Sequence, residues 1–347
     1  MSDEHSRKDS RLQDALGWAA GQGIRLRDVQ SASEDASFRR YFRARLTAPL
    51  NNERGNLDVG ESVILMDAPA DLEDSRPFVA VAQLLEGLGV AVPMIFAMDL
   101  ERGFLLLSDL GHQSLLGVLE QEPALADLMY DRAGGWIHRM QAIDHDALSD
   151  LPDYDDAMLR REMQLFPDWL CKKHLRLDWD ASDNGEWSRL TDTLVKNSLS
   201  QPCTLVHRDY HSRNLMVDAD FEVSVIDFQD AVAGPFTYDL VSMLRDCYID
   251  WPLDQTDRWA LRWFNDSPLA APFDEAQCLR WFYLTGVQRQ LKAAGIFARL
   301  ALRDDKWGYL PDIPRTLGYI SAVSKRYPEL QWIDHFIRQH CLPGLLP

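Results

Sequence analysis

His207-Arg208-Asp209-Tyr210-His211-Ser212-Arg213-Asn214-Leu215-Met216-Val217 runs, after a short turn, into Val223-Ser224-Val225-Ile226-Asp227-Phe228-Gln229. The apolar run Thr204 to Val206 leads into the stretch, and Asp218-Ala219-Asp220 turns the chain back. A loop followed by a β-hairpin is therefore expected. Asn214 stands at one foot of that hairpin, Asp227 at the other, and Asp209 in the loop before them. A carboxylate at Asp209 can accept the proton of an attacking hydroxyl and aim its oxygen. The Asn214 amide oxygen and the Asp227 carboxylate are hard ligands of the kind Mg2+ takes. Together they are the set needed to hold a hydroxyl acceptor and metal ions against a nucleotide triphosphate, ATP. Any one of the three alone reads as a hydrogen-bonded loop or turn residue; the set, with a hairpin inside it, does not.

The remainder of the chain has an ordinary soluble, globular composition: 347 residues, 46% hydrophobic and 26% charged. That length admits two lobes, each with its own core. No apolar run approaches the roughly 20 residues that span a bilayer. The polar start, Met1 to Arg11, lacks the apolar segment of a secretion signal, so a cytoplasmic location is expected. Cys171, Cys203, Cys247, Cys278 and Cys341 lie far apart with no C-x-x-C pair, which reads as reduced thiols and no zinc site. A net charge of −18 repels nucleic acid and anionic membranes, so neither is expected as a partner. A compact anion is still admissible where a local cluster of cations and metal ions sets the field.

Working outward, Leu12 to Gln22 has the apolar spacing of a helix, and Ser33 to Ser37 is a polar turn. Phe38 to Leu46 alternates as a half-exposed strand, Thr47 to Glu61 reads as a hairpin loop, and Ser62 to Met66 as a β-rich run. Pro77 to Leu88 is expected as a helix stopped by Gly89. Val92 to Met98 and Phe104 to Leu107 read as an antiparallel pair, and Ser108-Asp109-Leu110-Gly111 as a linker. Beyond it, Ala124 to Ile143, Asp156 to Leu177, Trp187 to Leu199, Pro235 to Ile249, Asp254 to Phe264, Asp274 to Ala294, Pro311 to Tyr327 and Gln331 to His340 read as helices. The expected fold class is α+β, a small antiparallel β-sheet lobe over residues 1–108 and a larger, mainly helical lobe over 109–347 that carries the catalytic loop.

His207-Arg208-Asp209 with Asn214, then Asp227-Phe228-Gln229, resembles the catalytic loop and metal motif of the protein-kinase-like superfamily. His211 before the Asn, and Gly234-Pro235-Phe236-Thr237-Tyr238-Asp239-Leu240 after the metal acid, are similar to its aminoglycoside and choline phosphotransferase branch. There is no A-P-E segment, which tilts away from a protein kinase. Four further segments resemble the anomeric amino-sugar kinases of bacterial cell-wall recycling. They are Asp35 to Arg43, Ile64-Leu65-Met66-Asp67-Ala68-Pro69, Leu106-Leu107-Ser108-Asp109-Leu110-Gly111 and Gln288 to Leu300. That resemblance implies ATP-dependent phosphorylation of the C1 hydroxyl of free N-acetylmuramate or N-acetylglucosamine. It also implies hand-over of the α-1-phosphate to a uridylyltransferase.

Neither G-x-x-x-x-G-K-[ST] nor G-x-G-x-x-G occurs. The candidate phosphate loop is Ser33 to Ser37, with Ser33, Ala36 and Ser37 small enough for backbone N–H groups to approach an anion; a plain polar turn is the other reading. The superfamily's third-strand lysine is missing: Met66 and Asp67 stand there, and no lysine occurs between Lys8 and Lys172. Arg40 or Arg43 of the second strand, or bound Mg2+, is expected to replace its charge. Ser108, Asp109 and Leu110 are the expected adenine-binding hinge, with Asp109 equally readable as a loop cap. Arg208 is assigned to neutralise or position nearby acids, and His207 to brace the loop. On the acceptor side the candidates are His211, Asp239, Arg245, Asp246, Arg289 and Trp307. Asp239 reads more readily as a support of the catalytic loop. An arginine such as Arg289 suits a carboxylate of the acceptor, or else an interhelical ion pair. The open rivals are a kinase of another small alcohol or an aminoglycoside, and a nucleotide-binding regulator without catalysis.

Overall fold

The computed structural model describes residues 2–34 and 38–345, with the side chains of residues 2–9, 33 and 34 left out of account. Two compact units emerge, Met1–Gln113 with Met216–Asp230, and Ser114–Leu215 with Ala231–Pro347. The hairpin between Asn214 and Asp227 thus clusters with the N-terminal residues, although it lies deep in the later part of the sequence.

In the first unit five antiparallel strands lie in the order Leu26–Glu34, Arg40–Leu46, Ser62–Asp67, Phe104–Ser108, Ile95–Asp99. The helix Ser2–Gly21 presents Leu12, Ala15, Leu16 and Ala19 along one stripe. With Trp18, that stripe packs on Ala44, Leu46, Val63, Leu65, Phe104 and Leu106. Because strand side chains alternate between faces, Val63 and Leu65 facing this helix sends Ile64 and Met66 to the other side. Asp67 follows Leu65 onto the helix side. It is buried there between Arg11, at 2.5 Å from its Oδ1, and Arg40, which binds its Oδ2. The short hairpin Leu50–Asn52/Gly55–Leu57 occupies the expected loop, and the helix Arg76–Gly87 follows the third strand of the sheet. The later hairpin joins this unit through two contacts. Val225 N–H donates to Ala91 O at 2.7 Å, and the Phe228 ring stands 4.9 Å from that of Phe78.

The second unit is helical around Glu275–Asp304, a 30-residue helix that spans about 45 Å. Nearly every turn of it is buried, including polar Gln288, Arg289, Gln290 and Lys292. Asp156–Met163 ends sooner than its apolar pattern suggests and passes into a π-helical turn, Phe166–His174. The strand Cys203–Val206 delivers the catalytic loop and pairs antiparallel with Val232–Pro235. Gly234 leaves room for neighbouring side chains: a Cβ there would stand 3.1 Å from Tyr154 Cβ and 3.3 Å from Val206 Cγ2. No described helix is long and apolar enough to cross a membrane.

Candidate active site

The catalytic loop leaves its strand through a left-handed residue that is not glycine: Arg208 has φ 76°. Such a conformation costs of order 1–3 kcal/mol and needs support. Asp239, at the start of the helix Tyr238–Leu244, provides it. Its Oδ2 accepts the N–H of His207 at 2.7 Å and its Oδ1 that of Arg208 at 3.1 Å. This is the loop-holding role the sequence favoured for Asp239. Asp246 does the same for the far side of the loop, accepting Ser212 N–H at 2.8 Å and Tyr248 N–H at 3.0 Å. Asn214 closes the loop by donating its amide NH2 to Asp209 O at 3.0 Å. In the first unit Asp227 also has positive φ, 65°, and its Oδ1 accepts from the Gln229 amide at 2.8 Å.

Beneath the loop lies a buried network that the motif search missed. Arg208 binds Glu162, and Glu162 in turn takes Lys292 Nζ at 3.1 Å and the Tyr154 hydroxyl. Lys292 also reaches Tyr238 Oη at 3.3 Å, and Gln288 donates to Tyr154 Oη at 3.2 Å. Gln288 and Lys292 share a helix face at i, i+4, so the Gln288 to Leu300 segment carried a signal. Glu162 carried none, because its partners come from elsewhere in the chain. Burial raises the Glu162 pKa, but Lys292 and Arg208 outweigh it and hold the group below its usual value.

Asp209 feels the same cations. Burial pushes its pKa up; Lys292, His211, Arg289 and Arg208 pull it further down, to about 2. It is therefore a firm anion and a weak base, fit to orient a hydroxyl and take its proton late. Arg289 is 5% exposed and donates to Cys247 Sγ at 3.6 Å. Among the described residues no carboxylate stands within ion-pair distance of it. His211 packs edge-on to Tyr248 with ring centroids 5.3 Å apart. Burial lowers its pKa, and its Nδ1 finds no partner among the described residues. Arg245 lies over the Tyr319 ring at 4.1 Å, buried, with Nε and Nη2 also unpartnered. Trp307 is 53% exposed, and its indole N–H goes to Asp305 at 2.5 Å.

On the nucleotide candidates, Arg43 forks onto Asp109 at 2.6 and 2.8 Å and also reaches Gly111 O and His112 Nδ1. Ser62 Oγ and Gly111 N–H complete the shell of Asp109. Burial raises the Asp109 pKa, yet these donors leave it lowered overall. Ser108 Oγ accepts Met94 N–H, and Leu110 is half-buried. Arg40 does not share a face with Arg43, because it pairs with Asp67 beside the N-terminal helix. Ala36 and Ser37 lie outside the described residues, and of Ser33 only the strand backbone is described.

The fold is that of kinase-like phosphotransferases: a small antiparallel sheet in one unit and a mainly helical second unit. Solved structures of this architecture include an aminoglycoside 2'-phosphotransferase-IIIa bound to GDP, at TM-score 0.59 and 15% identity, covering 88% of this chain and 97% of that one. A Plasmodium vivax ethanolamine kinase aligns at TM-score 0.57 and 10% identity, covering 84% and 81%. Residues 28–293 match the profile of the Phosphotransferase enzyme family, and the chain belongs to that family. It is 44% identical to the N-acetylmuramate/N-acetylglucosamine kinase of Pseudomonas aeruginosa over 91% of this chain and 88% of the relative. It is 40% identical to the protein of the same name from Pseudomonas putida, over 95% and 94%.

Proposed function

We propose that this enzyme transfers the γ-phosphoryl group of ATP to the C1 hydroxyl of N-acetylmuramate and N-acetylglucosamine. Asp209 accepts a hydrogen bond from the hydroxyl and then its proton; the sugar oxygen bonds to the γ-phosphorus as the bond to the β-phosphate oxygen breaks. Asn214 and Asp227 would hold Mg2+, and their hard oxygen donors fit it; the ion neutralises charge on the phosphates when bound. Ser33, Ala36 and Ser37 are assigned to the phosphates, and Ser108 to Leu110 to the adenine. His211, with its unpartnered Nδ1, is assigned to the acceptor.

Buried, cationic Arg289 beside Asp209 carries the acceptor reading. A cation without a carboxylate partner among the described residues suits an acceptor that brings one, as N-acetylmuramate does. It disfavours a polycationic aminoglycoside. The product, a sugar 1-phosphate, fits hand-over to a uridylyltransferase in the cytoplasm, in keeping with free thiols at all five cysteines.

A coupled ADP-release assay over N-acetylmuramate, N-acetylglucosamine, choline and kanamycin tests this. Turnover is expected for the two amino sugars, and Asp209→Asn should lower kcat by about 10²–10⁴-fold. No turnover of either amino sugar defeats the acceptor reading. Undiminished activity in Asp209→Asn defeats the mechanism.

A further inference from the structure

The turn that ends the catalytic loop holds a cation that no carboxylate answers. Asn214 N–H donates to His211 O at 2.9 Å, which puts Arg213 at the third position of that turn. Arg213 is exposed, and its guanidinium lies over the Tyr248 ring, 3.6 Å from the centroid, with the Tyr309 ring at 6.0 Å. Among the described residues no carboxylate stands within ion-pair distance of it and no acceptor takes its N–H groups. The acids around it are spent. Asp312 pairs with Arg315 at 3.3 Å, and both oxygens of Asp246 accept backbone N–H groups. Stacking on a ring holds a guanidinium in place without neutralising it, and its in-plane N–H edges stay open to a ligand. The same Tyr248 ring takes His211 edge-on, so imidazole and guanidinium share one aromatic support. His211 Nδ1 is the buried, unpartnered atom assigned to the acceptor, and both Arg213 and Arg289 stand in the field of that ring. All of these residues belong to the second unit. Arg289 is buried there, whereas Arg213 is at the surface.

We infer that Arg213, laid on Tyr248, is a specificity-determining residue that receives the carboxylate of an anionic acceptor, N-acetylmuramate, at the exposed end of the acceptor site. The inference rests on the proposed acceptor reading and adds to it a residue, with Tyr248 as its positioning partner. A guanidinium fork meets a carboxylate with two parallel N–H···O bonds. N-acetylglucosamine has no such carboxylate and makes no use of the cation. An exposed pair of charges is screened by salt, so the preference depends on ionic strength.

Steady-state kinetics of the full chain, with each sugar and ATP varied at low and high KCl, tests this. Arg213→Gln should raise KM for N-acetylmuramate about tenfold, with KM for N-acetylglucosamine and for ATP within about twofold of wild type. In wild type, KM for N-acetylmuramate should climb with KCl more steeply than KM for N-acetylglucosamine, and Arg213→Gln should flatten that difference. Tyr248→Leu, which removes the ring, should share the N-acetylmuramate loss, and Tyr248→Phe, which keeps the ring, should recover most of it. An unmoved KM for N-acetylmuramate in Arg213→Gln overturns the inference. So do equal rises for both sugars, a rise confined to ATP, or equal losses in the two Tyr248 variants. Wild type that turns over neither sugar overturns the acceptor reading instead.

Discussion

Arg208 shows how much of this site is support rather than chemistry. Its left-handed backbone is held by Asp239 and its side chain by Glu162, so the residue next to Asp209 is fixed from two directions. Burial pushes Asp239 up to about 7, against the two backbone donors that pull it down. An unfolded aspartate titrates near 4, so between about 4 and 7 the native state keeps a proton that the unfolded state has lost. The stability due to that proton is complete below about 4 and gone above about 7. Urea denaturation at pH 4.5, 6 and 7.5 should therefore show wild type losing stability relative to Asp239→Asn as pH rises. The opposite trend would mean that Asp239 is ionised in the native state across that range. Arg289→Gln probes the acceptor. Losing a charge-assisted partner costs about 2 kcal/mol or more, so KM for N-acetylmuramate should rise about 30-fold while that for N-acetylglucosamine stays within about threefold. Equal losses on both sugars would assign Arg289 to the loop.

At the scale of elements, the long helix Glu275–Asp304 is pinned by a close crossing. A Cβ on Gly295 would lie 2.3 Å from the Leu165 carbonyl carbon and 2.6 Å from Phe166 N, both backbone atoms that cannot swing away. Helix propensity alone would make Gly295→Ala stabilising by about 1 kcal/mol. The clash reverses the sign, and a net loss of about 1–3 kcal/mol is expected, read as a lower denaturation midpoint. A rise would show that the crossing yields. The same helix carries Gln288, Arg289 and Lys292 toward the catalytic loop. Replacing Glu162 by Gln strands Lys292 and Arg208 in a buried setting, with an expected cost of about 3 kcal/mol, and lets the Asp209 carboxylate lose its fixed neighbours. Thermal unfolding and kcat should fall together.

For the molecule as a whole, the first unit is discontinuous in sequence: residues 216–230 belong with 1–113. The Phe78–Phe228 contact and the Ala91–Val225 hydrogen bond tie the two pieces. A fragment of residues 1–113 should then lack a cooperative thermal transition, and the same fragment with the hairpin segment fused through a flexible linker should regain one. A sharp transition in the bare fragment would show that the sheet and its N-terminal helix suffice.

The loop around Asp209, the hairpin after it and most of the strands of the sheet were legible in the sequence, because each depends on residues close together in the chain. Turn chemistry, period-two alternation and the fixed spacing of Asp209, Asn214 and Asp227 are local properties, and they determined both the two-part fold and phosphotransfer as its chemistry. Tertiary structure alone decided which arginines serve which carboxylates. Arg39 and Arg40 differ by one position, and only the packing of the N-terminal helix shows that Asp67 claims Arg40 and leaves Arg39 to Glu73. Glu162 stayed invisible for the same reason: a buried charge acquires its role from partners far away in sequence, here Arg208 and Lys292, and no local pattern announces them.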